Sequence, residues 1–242
     1  METTVAEITH LRKSFGNNHV LNDINLKINQ GENLVVLGKS GSGKSVLIKC
    51  LVGLIEPDGG EVFLFGENIA GLEETKLNIL RKKVGFLFQS AALYDSMSVR
   101  ENLEFPLRDL KSKSKEETGA LVIEALRNVG LENAIDKMPS ELSGGMRKRV
   151  GLARTLILKP EIILYDEPTT GLDPITSREI SQLILDMQKK YNTASIIITH
   201  DIECARITAN RMLIIKDGIV LAEGTYKEIS ESKDEWVRSF FN

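Results

Sequence analysis

The chain has 242 residues, with 31 Lys or Arg against 34 Asp or Glu, which gives a formal net charge of −3. Because both signs are mixed along the sequence, this balance argues against a dedicated nucleic-acid binder and against a polybasic membrane anchor. The length suits one large α/β domain or two small ones. No apolar run approaches the ~20 residues of a membrane span, so a membrane function needs a separate membrane-spanning chain.

The two cysteines and the first residues both bear on the compartment in which the protein works. Cys50 and Cys204 lie in apolar, helical surroundings, and we expect them to be reduced, buried thiols of a cytoplasmic protein. A disulfide between them is the alternative. The first residues lack the basic and apolar regions of a signal peptide, which agrees with that expectation.

Two strands are predicted near the N-terminus, at residues 5–11 and 20–28, because apolar and polar residues alternate there. The segment 13–16 between them is predicted to be a polar loop, and it contains Phe15. The ring of Phe15 could stack on a purine. An isolated aromatic residue is more often part of the core, so both interpretations stay open.

The segment from Gly38 to Ser45 matches the phosphate-loop pattern G-x-x-x-x-G-K-[ST]. An apolar run at 34–37 leads into it and a helix from Ser45 to Gly53 is predicted after it, which is the context that the pattern requires. Backbone N–H groups of such a loop bind phosphate oxygens, Lys44 reaches the β- and γ-phosphates, and the Ser45 hydroxyl binds Mg²⁺. An accidental glycine-rich turn is the weaker alternative. The predicted nucleotide contacts in this segment are Gly38, Lys39, Ser40, Gly41, Ser42, Gly43, Lys44, Ser45 and Val46.

The next segments are predicted to alternate between strands and helices, with strands at 61–65 and 84–88 and a helix at 73–82. Gln89 follows the second strand, where its amide could reach Mg²⁺ or a bound water, although a lone Gln is usually only solvated. The loop at 91–99 is unusually apolar. It is predicted to be either a packed connection or a groove for a partner's helix.

Helices dominate the prediction for the following part of the chain. A helix is predicted at 102–110 across Pro106, then a charged surface linker at 111–117, then an amphipathic helix at 116–129. The sequence Leu-Ser-Gly-Gly-Met at 142–146 precedes another helix. A hydroxyl and two glycine amides at a helix N-terminus predict a second anion site, and a simple Ser N-cap is the alternative.

An apolar strand from Ile162 to Asp166 ends in two adjacent carboxylates, because Glu167 comes directly after it. Beside a phosphate loop, Asp166 is placed to bind Mg²⁺ and Glu167 to polarise an attacking water. A pair of surface acids is the weaker alternative. The strand predicted at 194–199 ends at His200, which could contact the γ-phosphate, although histidines in the core or at caps are commoner. Further predictions are a helix at 176–191, a hairpin turn at 217–218, and short helices at 226–232 and 234–241.

These motifs, in this order over nearly the whole chain, resemble the nucleotide-binding subunit of an ATP-binding cassette (ABC) transporter. The resemblance implies an α/β P-loop NTPase fold with a RecA-like core, an antiparallel β subdomain and an inserted α-helical subdomain. The chain would be a single ABC ATPase domain, with residues 1–89 and 157–242 forming the core and the β subdomain. Residues from about 90 to 156 would form the helical subdomain. ATP and Mg²⁺ are the implied cofactors, and ATP hydrolysis is the implied reaction.

The resemblance also implies roles for individual residues. Glu167 would be the catalytic base, assisted by His200 and Gln89. Ser45, Gln89 and Asp166 would bind the metal, and Phe15 would stack on adenine. The signature motif at 142–146 would bind the ATP of a second copy through Ser143, Gly144 and Gly145, and Asp173 would lie in the D-loop between the two copies. The working unit would therefore be a homodimer. Met146 departs from the usual Gln of this motif, which puts the rate of hydrolysis in question.

Within the family, the segments at 89–102, 141–149, 171–176 and 234–241 look like those of the ATPases of Mce-type phospholipid transport systems. That resemblance implies an integral membrane permease as partner, with an Mce-domain subunit and a small regulatory subunit as further possible partners. The protein would lie on the cytoplasmic face of the bacterial inner membrane. An ATPase for another solute, or a cell-division ABC ATPase, are the alternatives.

Overall fold

The computed structural model describes residues 3–108 and 114–241. The first described segments are β1 (Thr4–Phe15), β2 (Asn18–Asn29), β3 (Asn33–Leu37), α1 (Lys44–Leu51), β4 (Gly59–Leu64), β5 (Glu67–Asn68), α2 (Glu74–Arg81) and β6 (Val84–Leu87). The helices that follow are α3 (Val99–Glu104), α4 (Lys115–Asn128) and α5 (Gly144–Leu156), with 3₁₀ turns at 105–107, 132–134 and 139–141. The last segments are β7 (Ile162–Asp166), α6 (Pro174–Tyr191), β8 (Ala194–Ile198), α7 (Ile202–Thr208), β9 (Arg211–Lys216), β10 (Ile219–Gly224), α8 (Tyr226–Ser230) and α9 (Glu235–Arg238).

Within these two described ranges the strands form one sheet in the order β5-β4-β1-β2-β10-β9-β3-β8-β7-β6. The half of the sheet from β5 to β2 is antiparallel. The half from β9 to β6 is parallel, with β3 between β9 and β8 and with β7 between β8 and β6. This is the α/β P-loop fold with an antiparallel β subdomain that the sequence predicts.

The central parallel strands are buried on both faces. In β3, Leu34 and Val36 pack into one apolar cluster together with α1, whereas Val35 and Leu37 pack into a second cluster with α6 and α7. A strand covered by helices on both sides has few places for polar side chains, which explains why β3, β7 and β8 have almost continuous apolar sequences. The polar groups therefore gather at the strand ends.

A third apolar cluster holds the helical part of the chain together. It includes Val99 and Leu103 of α3, Val122 and Leu126 of α4, and Val150 of α5. Helix α5 also contributes Leu152 and Leu156 to a cluster under the parallel sheet. Because it packs on both sides, α5 is the helix that connects the inserted helical subdomain with the core.

The cysteines agree with the prediction, since Cys50 and Cys204 are both buried and free. Burial raises the pKa of each thiol to about 11. Among the described residues, no helix is long and apolar enough to cross a bilayer.

Some predicted boundaries are wrong. The polar loop predicted at 13–16 is mostly strand, because β1 runs to Phe15 and a tight hairpin turn follows. The predicted linker at 111–117 ends in helix, since Ser114 caps α4 and accepts a hydrogen bond from the backbone N–H of Glu117 at 3.2 Å. Residues 109–113, which belong to the predicted helix and linker, lie outside the described residues. The helix predicted at 102–110 changes to a 3₁₀ turn at Phe105, just before Pro106.

Candidate active site

A cavity of about 840 Å³ opens at the carboxyl edge of the parallel strands. Gly38 follows β3, Gln89 follows β6, Asp166 ends β7, and His200 follows β8. Because parallel strands all end on the same edge, residues far apart in sequence meet there. The predicted site residues that line this cavity are Phe15, Gly38, Lys39, Ser40, Gly41, Gly43, Lys44, Ser45, Val46, Gln89, Asp166, Glu167 and His200.

The phosphate loop is shaped by its glycines and by one lysine. Gly43 has a φ of 95°, and a Cβ atom there would lie 2.8 Å from the backbone oxygen of Val20, so only glycine fits. The Lys44 ammonium donates hydrogen bonds to the carbonyl oxygens of Gly38 at 2.7 Å and Lys39 at 3.0 Å. These bonds hold the ammonium over the loop. The predicted contact Ser42 lines a neighbouring cleft instead, and its buried hydroxyl has no hydrogen-bond partner within the described part of the chain.

The two carboxylates at the end of β7 lie in an electrostatically crowded region. Burial raises the pKa of Asp166, and the neighbouring Glu167 raises it further, while Lys49, Lys44 and Lys148 oppose the shift. Burial lowers the pKa of Lys44, and Glu167 and Asp166 oppose that shift. A buried charged group is stabilised by an opposite charge close by. A bound divalent cation would supply one to the carboxylates.

Glu167 has an unusual backbone conformation, with a φ of 50°. Its N–H donates a hydrogen bond to the carbonyl oxygen of Ile198 at 2.9 Å, which holds this residue against the end of β8. Its carboxylate oxygen lies 2.8 Å from Nδ1 of His200 and accepts a hydrogen bond from the Thr170 hydroxyl at 3.1 Å. A positive φ at a non-glycine residue is costly, and such positions gather at functional sites.

The donor set of the cavity suits ATP with Mg²⁺. Ser45, Gln89 and Asp166 offer a hydroxyl, an amide oxygen and a carboxylate, which are the hard oxygen ligands that Mg²⁺ prefers. The loop around Gly41 and Gly43 offers backbone N–H groups at the start of α1, where anions bind. Among the described residues, no cluster of three or more His, Cys, Asp or Glu side chains forms an all-protein metal site. Mg²⁺ held by Ser45, Gln89 and Asp166 would neutralise charge on the phosphates of ATP.

The signature residues and the D-loop residue do not line the cavity. Ser143 caps α5 and accepts a hydrogen bond from the backbone N–H of Met146 at 3.2 Å. Asp173 caps α6 and accepts a hydrogen bond from the N–H of Thr176 at 3.0 Å. The two helix ends lie against each other, because a Cβ atom on Gly145 would come within 2.5 Å of the Thr176 methyl group. Ser143, Gly144, Gly145 and Asp173 thus form a second group of predicted site residues, apart from the cavity.

Two aromatic residues line the cavity. Phe15 is 50% exposed, so the interpretation of its ring as part of the core is wrong. Phe240, near the end of the chain, lines the same cavity and was missed by the sequence analysis, as was Val20. The ring of Phe240 packs edge-on against Trp236, with centroids 5.0 Å apart, and Trp236 lies 5.7 Å from the Lys39 ammonium. The only sequence signal was the apolar spacing at 236–241, which does not reveal a ligand contact.

Lys148 is a further residue that sequence analysis missed. It lies on the buried side of α5 and is only 5% exposed. Its ammonium donates hydrogen bonds to the carbonyl oxygens of Gln89 and Glu167, the latter at 3.1 Å. The available sequence signal was the helical spacing, which places Lys148 on the same face of the helix as the buried Gly145 and Leu152.

Comparison with known proteins gives consistent results. The sequence profile described as "ABC transporter" matches residues 21–170. The phospholipid transport ATP-binding protein MlaF of Haemophilus influenzae is 37% identical over 240 residues, covering 99% of this chain and 91% of that protein. The probable ribonucleotide transport ATP-binding protein mkl of Mycobacterium leprae is 40% identical over 236 residues, which are 98% of this chain and 68% of that protein. The methionine import protein MetN of Rhizobium johnstonii is 39% identical over 220 residues, which are 91% of this chain and 60% of that protein.

Solved structures agree with this family. The dimeric cassette MJ0796, in a post-hydrolysis state with ADP and Pi bound, is 33% identical with a TM-score of 0.82, covering 92% of this chain and 99% of that one. At this level of sequence and structural similarity, and with the P-loop and the paired carboxylates in one cavity, the similarity indicates the same ATP hydrolysis chemistry. The chain therefore belongs to the ABC transporter family, as an ATP-binding subunit that hydrolyses ATP with Mg²⁺.

Proposed function

We propose that Glu167 is the general base of this ATPase and that the cavity described above is its catalytic half-site. The observation that carries this proposal is the meeting of the P-loop, both β7 carboxylates and His200 in one cavity. The P-loop and Lys44 bind the β- and γ-phosphates. Ser45, Asp166 and Gln89 would hold Mg²⁺, which would neutralise phosphate charge. Glu167 accepts a proton from the attacking water, and His200 orients the carboxylate through the 2.8 Å contact.

The site needs a second copy of the chain. Ser143 and the amides of Gly144 and Gly145 form an anion-binding helix end that does not reach the cavity of its own chain. A head-to-tail homodimer would place this end against the γ-phosphate held by the other copy, and Asp173 would lie between the two. In such a two-fold arrangement, each copy provides one cavity and one signature end, so the dimer contains two complete sites.

We further propose that the transported material is phospholipid. The support is the similarity to MlaF, which extends over 91% of that protein and therefore leaves little of it unmatched. The amino-acid sequences of the segments 89–102 and 234–241 also resemble those of Mce-type ATPases. The ATPase would act at the cytoplasmic face of the inner membrane, through a permease with an Mce-domain partner and a small regulatory subunit.

The loop from Leu93 to Met97 is the proposed contact with the permease. Tyr94 is 44% exposed, and its ring lies 4.7 Å from that of Phe105, so an aromatic pair faces solvent there. Asn102 fixes the loop from beneath by accepting a hydrogen bond from the Tyr94 N–H and donating to the carbonyls of Tyr94, Met97 and Ser98. A fixed apolar surface close to Gln89 can pass the movement of the nucleotide site to a docked helix. We also propose that residues from about 90 to 156 move with it as one subdomain.

Reconstitution tests this proposal. The tagged chain would be purified with its membrane partners and placed in liposomes that contain a labelled phospholipid, with Glu167→Gln as the inactive control. ATP-dependent lipid transfer that the control lacks would support the proposal. A complex that contains no Mce-domain protein and transfers methionine or a nucleotide instead would contradict it. A division protein as the only membrane partner would point to the cell-division alternative.

A further inference from the structure

Lys148 joins two chain segments that lie beyond the end of the pairing between β6 and β7. The parallel pairing of β6 with β7 ends at Leu87 opposite Tyr165. Gln89 and Glu167 each lie two residues beyond that last pair, where no ladder hydrogen bond links them. The Lys148 ammonium donates to both of their carbonyl oxygens, so it replaces the missing connection.

The two segments that Lys148 joins bear side chains that face the cavity. Glu167 has a positive φ, and its N–H is already held by the Ile198 carbonyl at 2.9 Å. Its carbonyl oxygen accepts a hydrogen bond from Lys148 at 3.1 Å and another from the Thr170 N–H at 3.3 Å, so both backbone polar groups of this strained residue are held. Strained conformations persist only where the surroundings fix them in this way.

Burial of the Lys148 ammonium costs free energy, because a charge is removed from water. Lys148 is only 5% exposed and lies on the same side of α5 as the buried Gly145 and Leu152. An apolar side chain of similar size would avoid the cost of removing a charge from water. The position therefore makes use of the donors and the charge of the lysine.

Helix α5 connects this link to the signature motif. The helix begins at Ser143 as its N-cap, and Lys148 lies on its second turn. A short α-helix behaves as a stiff rod, so a displacement of its N-terminal end also displaces Lys148.

We propose that Lys148 is a positioning residue, which holds the backbone of Glu167 and Gln89 at a fixed separation and couples both to the signature end of α5. This inference rests on the roles proposed above for Glu167 and Gln89. Binding of ATP by the P-loop does not need this link, whereas alignment of the base with its water does. Loss of Lys148 should therefore lower kcat and leave ATP affinity nearly unchanged.

The test compares Lys148→Met, which has no donor, with Lys148→Arg, which keeps the charge and several donors. We expect kcat of Lys148→Met to fall by about 10- to 100-fold, because the hydrogen bonds from a charged donor that position Glu167 and Gln89 are lost. KM and the Kd for ATP should change by less than about threefold, and Lys148→Arg should recover most of kcat. Arg149→Met is the matched control, because Arg149 is on the same helix and also donates to a backbone carbonyl, that of Val129.

Thermal unfolding would check that each variant folds, and Lys148→Leu, which also has no donor, replaces Lys148→Met if the methionine variant does not fold. The proposal is overturned if kcat of the donor-free variant stays within about twofold of the wild type, if ATP affinity falls as much as kcat, or if Lys148→Arg is no faster than Lys148→Met. Glu167→Gln is measured alongside. Normal turnover in Glu167→Gln would contradict the proposed base itself, whereas a slow Glu167→Gln with a normal Lys148→Met would contradict only the role of Lys148.

Discussion

Glu167 and His200 make a contact that neither strand could provide alone. Asp166 and Glu167 follow one buried strand and His200 follows the neighbouring one, so the pairing of β7 with β8 sets their distance. The Thr170 hydroxyl adds a second hydrogen bond to the same oxygen of Glu167. Because the carboxylate is held from two sides, its second oxygen is the one available to a water.

Glu167→Gln should reduce turnover by at least ~10²-fold while ATP binding stays intact. The amide keeps the shape of the side chain and loses the basicity that activates water. Steady-state ATPase assays and a fluorescent ATP analogue measure the two properties, with Lys44→Ala as the control that should lose both. Near wild-type turnover in Glu167→Gln would show that another group is the base.

Phe240→Ala should raise KM for ATP by about 3- to 10-fold with little change in kcat. An aromatic ring beside the adenine of ATP contributes to binding and not to the chemical step. Phe15→Ala should act in the same direction. Phe105→Ala is the control, because that exposed ring packs on Tyr94 and is not among the residues that line the cavity. An unchanged KM in Phe240→Ala would mean that the end of the chain does not contact the nucleotide.

At the scale of helices and strands, the sequence predicts best those strands that are buried on both faces. The apolar runs at 34–37, 162–166 and 194–198 are strands buried on both faces, and a residue pattern of that kind has few other solutions. The hairpin at Asp217 and Gly218 was found through its turn residues in the same way. Local patterns were sufficient in these places.

Elements whose form depends on distant residues were predicted less well. Residues 13–15 look like a polar loop, but Asp58 accepts hydrogen bonds from the Lys13 ammonium at 2.7 Å and from the Ser14 N–H at 2.6 Å, which supports the strand. Lys148 and Phe240 reach the cavity only because folding brings helix α5 and the end of the chain to the strand edge. No spacing within the sequence contains that information.

Asn102→Ala should lower the free energy of unfolding by about 2–4 kcal/mol, since a fully buried amide that makes four hydrogen bonds to the loop at 94–98 is lost. For a chain of this size the midpoint of thermal unfolding should fall by about 5–10 °C. Calorimetry measures both quantities. A midpoint within about 1 °C of the wild type would show that the loop does not depend on this residue.

On the scale of the whole molecule, helix α5 lies between the parts that must communicate. Its start is the signature end, its buried side carries Lys148, which donates to the backbone carbonyl of Glu167, and Arg154 near its end donates to the carbonyls of Ala91 and Ala92. Those two alanines have positive φ values of 61° and 47° and directly precede the loop proposed to contact the permease. One helix thus links the cavity with the end proposed to face the second copy and with the segment that leads into the proposed permease loop.

Tyr94→Ala combined with Met97→Asp should leave ATP binding unchanged and weaken assembly with the permease, or uncouple hydrolysis from lipid transfer. A carboxylate buried in an apolar interface costs on the order of 1–3 kcal/mol or more. Ile79→Asp is a matched control, because Ile79 is exposed on α2. Assembly, ATPase rate and lipid transfer are compared in reconstituted complexes, and normal values for all three would place the permease contact elsewhere.

The central claim is that the site is completed by a second copy of the chain, and the mass of the Glu167→Gln variant tests it most directly. With hydrolysis blocked, ATP and Mg²⁺ should stay bound, and light scattering should show a dimer that disappears when nucleotide is removed. Adding Ser143→Arg should fill the γ-phosphate position of the opposite copy, so that the double variant still binds ATP and stays monomeric. A double variant that dimerises as readily as Glu167→Gln would contradict the account.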